Sequence, residues 1–144
     1  MQPFPHIYTV TASGAASGTI PVTAPELPTL IAAAPREFDG PGDQWSPESM
    51  LCAAVASCFI LTFRAIARAS KLEWLQLGCE VAGTLERAQN VTRFTRFVTH
   101  VTLTVAKGVD EEKCRQLLTK AEYGCLVANS LSAERVLEVG ITTI

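Results

Sequence analysis

Ser46 to Phe63 reads SPESMLCAAVASCFILTF. Serine suits a helix N-cap, proline the first turn, and glutamate the positive end of the helix dipole. From Ser49 to Phe63 no residue is charged, and Arg64 and Arg68 follow. The pattern predicts a helix to about Ser70, roughly 25 residues and about 37 Å long at 1.5 Å per residue. Its uncharged stretch is shorter than the about 20 apolar residues of a bilayer span, so a core helix is expected and no membrane partner. A helix apolar on every side is buried all round. A chain of 144 residues has difficulty surrounding so long a helix by itself. A second copy packing against it is the simplest remedy, and a homodimer is therefore expected.

Around this helix the composition is that of a folded domain. Apolar residues make up 48% and charged residues 18%, enough for one domain with a real core. The net charge is -2 and no basic block occurs, which argues against nucleic acid as a partner. The opening MQPFPHIYTV lacks the positive flank and apolar run of a signal peptide, so a cytoplasmic protein is expected.

Before the helix, His6 to Val10 and Gly18 to Val22 read as short strands of a hairpin. Pro21 moves the second strand toward a sheet edge. Leu30 to Ala33 reads as a third strand. Pro35 to Trp45, PREFDGPGDQW, is a loop by composition, and it carries Arg36. After the helix, Leu75 to Ala88 and Thr92 to Lys107 read as an antiparallel strand pair joined by Gln89-Asn90-Val91. Val101, Leu103 and Val105 alternate with Thr102 and Thr104, the period of a strand. Asp110 opens a second helix whose apolar face holds Cys114, Leu117, Leu118, Ala121 and Cys125. A short helical piece from Leu126 to Leu131 and a strand from Val136 to Ile144 complete the chain. This order gives an α+β fold in a single domain, residues 1–144.

The five cysteines are Cys52, Cys58, Cys79, Cys114 and Cys125. The odd count and missing secretion signal argue against a disulfide scaffold. No pair has CxxC spacing and the only histidines are His6 and His100, so neither a zinc site nor any other cofactor is expected. Taken one at a time, buried free cysteines are mostly small core hydrophobes. Cys114 and Cys125, eleven residues apart on one helix, stand about 16 Å apart and cannot bond to each other there. Cys58 and Cys125 lie on different helices and can meet where those helices pack.

At these residues the chain resembles a known family. SPESMLCAAVASCF resembles the xPExLxxAxxACF signature of the OsmC/Ohr family, the osmotically inducible protein C and organic hydroperoxide resistance proteins. AEYGCLVANSL resembles the family's AxxxCPxSxxL pattern, with Leu126 and Ala128 standing where that pattern has proline and serine. No arginine precedes Arg36, which makes the chain look closer to the OsmC branch. The resemblance implies the OsmC-like fold: an N-terminal hairpin region, a long buried central helix, an antiparallel strand pair, a second cysteine-bearing helix and a C-terminal strand. It implies an intertwined homodimer with its sites at the subunit interface.

The activity implied is that of a cysteine-based peroxidase taking organic hydroperoxides as substrate. Cys58 would be the peroxidatic thiol and Cys125 the resolving one. Glu48 would match the family's active-site glutamate, and Arg36 is the best candidate for its arginine. An external dithiol, lipoyl-type in the Ohr branch, would reduce the resulting disulfide. On the residues alone Glu48 reads better as a helix-dipole residue, and Arg36 reads equally as a solvated loop charge. Glu48 and Cys58 are about 15 Å apart along one helix, so an arginine-glutamate pair serving Cys58 is expected to come from the other subunit. The competing reading is a non-catalytic dimeric binding or stress-associated domain on the same scaffold.

Overall fold

A computed structural model describes all 144 residues. They divide into two compact units, Met1–Met50 and Leu51–Ile144.

The first unit carries a small antiparallel sheet of β1 (Thr11–Ala12), β2 (Ile20–Thr23) and β3 (Leu30–Ala32), in the order β1-β2-β3. The expected strand over His6 to Val10 is not formed. Residues 1–10 are all exposed, and alternation makes no strand without a partner ladder. Pro21 does not mark an edge either, because β2 is the central strand. Its carbonyl accepts from Ser13 N–H at 3.4 Å. A residue's N–H and C=O point to the same side of a strand, and on that side β1 has already ended at Ala12. The missing proline N–H therefore removes no ladder bond. Beyond β3 a single 3-10 turn spans Arg36–Phe38.

The helix start read from SPES is formed by a reciprocal cap. Ser49 N–H donates to Ser46 Oγ at 3.1 Å, and Ser46 N–H donates to Ser49 Oγ at 2.9 Å. Ser49 thus plays the part that Glu or Gln plays in a capping box. The helix, α1, runs Pro47–Ala69. By length and composition it could cross a membrane, contrary to the count of its uncharged residues alone. Within the chain 22% of its apolar window is buried.

In the second unit, β4 (Gln76–Ala88) and β5 (Val91–Val105) form the antiparallel pair. The turn is tighter than expected: only Gln89 and Asn90 lie outside the strands, both with positive φ, as two-residue hairpin loops require. Asp110 caps α2 (Glu111–Gly124), its carboxylate accepting from Glu112 and Lys113 N–H at 2.9 and 3.2 Å. A short α3 (Leu126–Asn129) leads to β6 (Glu134–Thr143), which pairs parallel with β5. Parallel neighbours need a crossover, and α2 supplies it. The sheet order is β4-β5-β6.

One face of this sheet makes the core. Phe97, Thr99, Val101, Leu103 and Val105 are buried on alternate positions of β5. Phe59, Phe63 and Ala67 of α1 and Cys114, Leu117, Leu118 and Ala121 of α2 pack into one cluster with Val101, Leu103 and Val105. Each fully buried Phe or Leu there contributes about 2 kcal/mol of transfer free energy. Both helices therefore cover one side. The other side carries Arg96–Glu134 and His100–Glu138 contacts at 3.8 and 3.4 Å, exposed pairs of little energetic weight.

Burial of α1 on every side is not what the single chain shows. Its fully buried residues are Val55, Phe59, Phe63 and Ala67, at steps of four. That is one stripe, because one sheet face offers one wall. Leu61 remains 59% exposed.

Candidate functional site

Cys58 and Cys125 come together at one end of the core. Cys125 caps the C-terminus of α2 and the N-terminus of α3 in extended conformation, φ -67° and ψ 100°. The break falls after Gly124, so the thiol leaves the apolar face expected for α2 and turns toward α1. There Val55, Cys125 and Ala128 form a small buried cluster, with Cys58, Val81, Val127 and Leu131 packed against it. Cys125 is fully buried, while Cys58 is partly exposed. All five thiols are free.

The two sulfurs are poised differently. Burial pushes the Cys58 thiol up, but the hydrogen bonds it accepts outweigh that. They come from Val127 N–H, the Cys125 thiol, the Thr62 hydroxyl and Leu126 N–H, and together they hold its pKa below the ordinary thiol value. The two amides are among the unpaired donors that any helix start leaves. Thr62 sits one helical turn beyond Cys58, Oγ1 to Sγ 3.9 Å. Cys125 goes the other way, to about 11, through burial and through its role as donor to, and neighbour of, Cys58, with Glu122 adding like charge. The Cys125 thiol donates to Val55 carbonyl, at 3.9 Å. The two directions are opposed, which makes Cys58 the readier of the pair to ionise.

Solvent reaches Cys58 through an open groove of about 460 Å³ lined by Ala54, Ser57, Leu61, Thr62, Leu126 and Val127. Its walls are mainly hydrocarbon. A polar oxidant gains little there, whereas an alkyl chain gains about 0.8 kcal/mol for each methylene it buries.

Arg36 and Glu48 both belong to the first unit. They form no ion pair with each other. The Arg36 side chain lies over Gly42, where an added Cβ would clash with its Nε. Glu48 Oε2 is buried and has no hydrogen-bond partner within the chain. No arginine is among the groups that lower Cys58.

Three parts of the site were not read from the sequence. Thr62 had a signal, its i+4 spacing from Cys58. The Leu126 and Val127 amides had none, because backbone donors carry no side-chain signature. The third is the Arg135–Glu122 pair, Nε to Oε1 2.8 Å, which joins residues thirteen apart on β6 and α2.

The family model described as OsmC-like protein matches residues 40–139. The protein YmaD of Bacillus subtilis, itself uncharacterised, is 26% identical over 108 residues, 73% of this chain and 72% of that protein. Among solved structures, an OsmC-like protein of unknown function from Vibrio cholerae superposes with a TM-score of 0.81 at 19% identity, covering 94% of this chain and 99% of that one. An organic hydroperoxide resistance protein, OsmC, from Legionella pneumophila gives 0.76 at 21% identity, covering 97% and 99%. The organic hydroperoxide resistance protein OhrB of Bacillus subtilis gives 0.69 at 18%, covering 95% and 98%. At these identities the likeness to solved structures is one of fold.

Proposed function

Because the chain belongs to the OsmC-like protein family, we propose that it is a thiol-dependent peroxidase reducing organic hydroperoxides to alcohols. The observation that carries the reading is that the fully buried Cys125 packs in one small cluster with Cys58, which opens onto an apolar groove; the opposed directions of the two thiols agree with it. Relatives in fold that are named organic hydroperoxide resistance proteins support it.

The steps follow from this arrangement. The Cys58 thiolate attacks the distal peroxide oxygen. The O–O bond breaks, and the alkoxide takes up a proton and leaves as the alcohol. Cys58 is left as a sulfenic acid. Cys125 then attacks the sulfenic sulfur, an S–S bond forms and water leaves with the Cys125 proton. The buried second thiol acts only after the first has been oxidised, which keeps Cys58 from going further up the oxidation ladder. An external dithiol reduces the disulfide, being oxidised itself to a disulfide. Five free thiols suit a reducing cytoplasm as the place of action.

A homodimer completes this reading. Leu61 and the partly buried remainder of α1 offer apolar surface to a second copy. Glu48, with its unpartnered buried oxygen, and Arg36 would serve the thiol of the other subunit. There a guanidinium favours the thiolate and can hold peroxide oxygens.

The test is consumption of cumene hydroperoxide with dihydrolipoamide as reductant, set against a monothiol. Turnover with the dithiol, lost in Cys58→Ser, is expected. No consumption with either reductant would leave a binding domain on the same scaffold.

A further inference from the structure

The turn that carries Cys125 is held locally by single-turn bonds such as Asn129 N–H to Cys125 carbonyl at 2.9 Å. Leu126 follows the thiol, so no proline ring fixes φ there. α3 is a single turn of four residues, which is marginal by itself. Yet both Cys125 and the Leu126 and Val127 amides need to be aimed at Cys58.

The aim comes from β6. Arg135 Nε donates to Glu122 Oε1 at 2.8 Å, Nη1 donates to Asn129 Oδ1 at 2.7 Å, and Nη2 donates to the Glu122 carbonyl. Asn129 Nδ2 in turn donates to Tyr123 carbonyl at 2.9 Å. The Arg135 and Glu122 side chains are only 25% and 14% exposed, so water competes weakly for the bonds between these two residues, whereas those of Asn129 are exposed. The contacts fall on residues 122, 123 and 129, on both sides of Cys125. They also take up a carbonyl, that of Glu122, which the end of α2 leaves otherwise bonded only to Cys125 N–H at 3.4 Å. A planar guanidinium with donors in a fixed fork is suited to fixing three acceptors at once.

We infer that Arg135 is a positioning residue for the thiol pair, a clamp from β6 that holds the Cys125 turn and its two amides in register with Cys58. Arg135 touches neither sulfur. It acts through Glu122 and Asn129. The inference rests on the peroxidase reading only for its second readout. The one titratable neighbour that shifts Cys58 is Cys125, from the α2–α3 junction; Thr62, from α1, is neutral.

The test uses Arg135→Lys, which keeps the charge and loses the fork, and Asn129→Ala, which opens the clamp from the other end. Both are made in the full chain and checked for fold by circular dichroism. The first readout is the pH midpoint of Cys58 alkylation by iodoacetamide in reduced protein, followed by peptide mass. The second is disulfide formation after one equivalent of cumene hydroperoxide, with sulfenic acid trapped by dimedone. The clamp predicts a midpoint moved up toward the ordinary thiol value. It predicts disulfide formation slowed about tenfold to a hundredfold, the effect of a misplacement of about 1 Å, with sulfenic acid accumulating. Folded variants with the wild-type midpoint overturn it. Should the wild-type protein ignore the hydroperoxide, the peroxidase reading falls, and the alkylation midpoint still decides the clamp.

Discussion

The thiol of Cys125, fully buried where α2 gives way to α3, donates to Val55 carbonyl and packs in one small cluster with the partly exposed Cys58 on α1, and Cys58 is lowered while Cys125 is raised. One partner is readied to ionise, and the other is held as a proton donor. A pair of merely packed cysteines would both be raised by burial, as Cys79 is, to about 11.

The first consequence is a pH profile. Alkylation of Cys58 rises with pH as its thiolate forms, with a midpoint below that of a free thiol. Replacing Cys125 by alanine removes one donor and moves the midpoint up. Iodoacetamide rates on the reduced proteins check this; an unmoved midpoint would mean that the two amides and Thr62 hold the thiolate without Cys125.

Stability has its own alkaline limit. Cys79 and Cys125 are each raised from 9.0 to about 11. Their neutral forms therefore favour the folded state fully below pH about 9, and this is lost as pH rises through about 11. Cys58, lowered, works in the opposite sense: its share is present above the unfolded value and is lost as pH falls through the folded one. Urea midpoints under reducing conditions should fall between pH about 9 and about 11, and fall less in Cys79→Ala.

Gly83 on β4 admits Cys52 closely. A Cβ there would lie 2.9 Å from Cys52 Sγ, 2.9 Å from Phe94 Cε1 and 3.0 Å from Phe97 Cε1. Gly83→Ala should destabilise by about 1–3 kcal/mol through overpacking. Adding Cys52→Ala relieves the sulfur contact alone and should recover part of the loss in denaturant titration.

The cap of α2 is a smaller, cleaner case. Asp110→Ala strands two amide donors and should cost about 1 kcal/mol, whereas Asp110→Ser should be near neutral. Thermal melts of the two variants separate the cap from its charge.

The homodimer reading predicts complementation. Cys58→Ser lacks the thiol and Glu48→Ala lacks the carboxylate, so each alone should turn over poorly. Unfolded together and refolded, they form mixed dimers in which one site joins an intact Cys58 to the partner subunit's Glu48. Recovered peroxidase activity is expected; no recovery would place Glu48 outside the other subunit's site.

Much of this was legible in the chain. The Ser46 start of α1, the Asp110 cap and the period-two run Val101, Leu103, Val105 came from local chemistry, and the structure keeps them. What was misread depended on partners. His6 to Val10 alternate like a strand but find no ladder, and Pro21 sits in a central strand because its neighbour stops short. The parallel setting of β6 is a matter of topology that no local pattern encodes. At the site, Cys58 and Cys125 stood out by their motifs. The amides of Leu126 and Val127 and the Arg135 clamp did not, since they act through backbone and through residues distant in sequence.

Intact mass after one equivalent of cumene hydroperoxide tests the account most directly. It predicts a product lighter by two hydrogens, joined between Cys58 and Cys125 on peptide mapping, and absent in Cys58→Ser and in Cys125→Ser. An unchanged mass in the wild-type protein, with the oxidant left unconsumed, would contradict it.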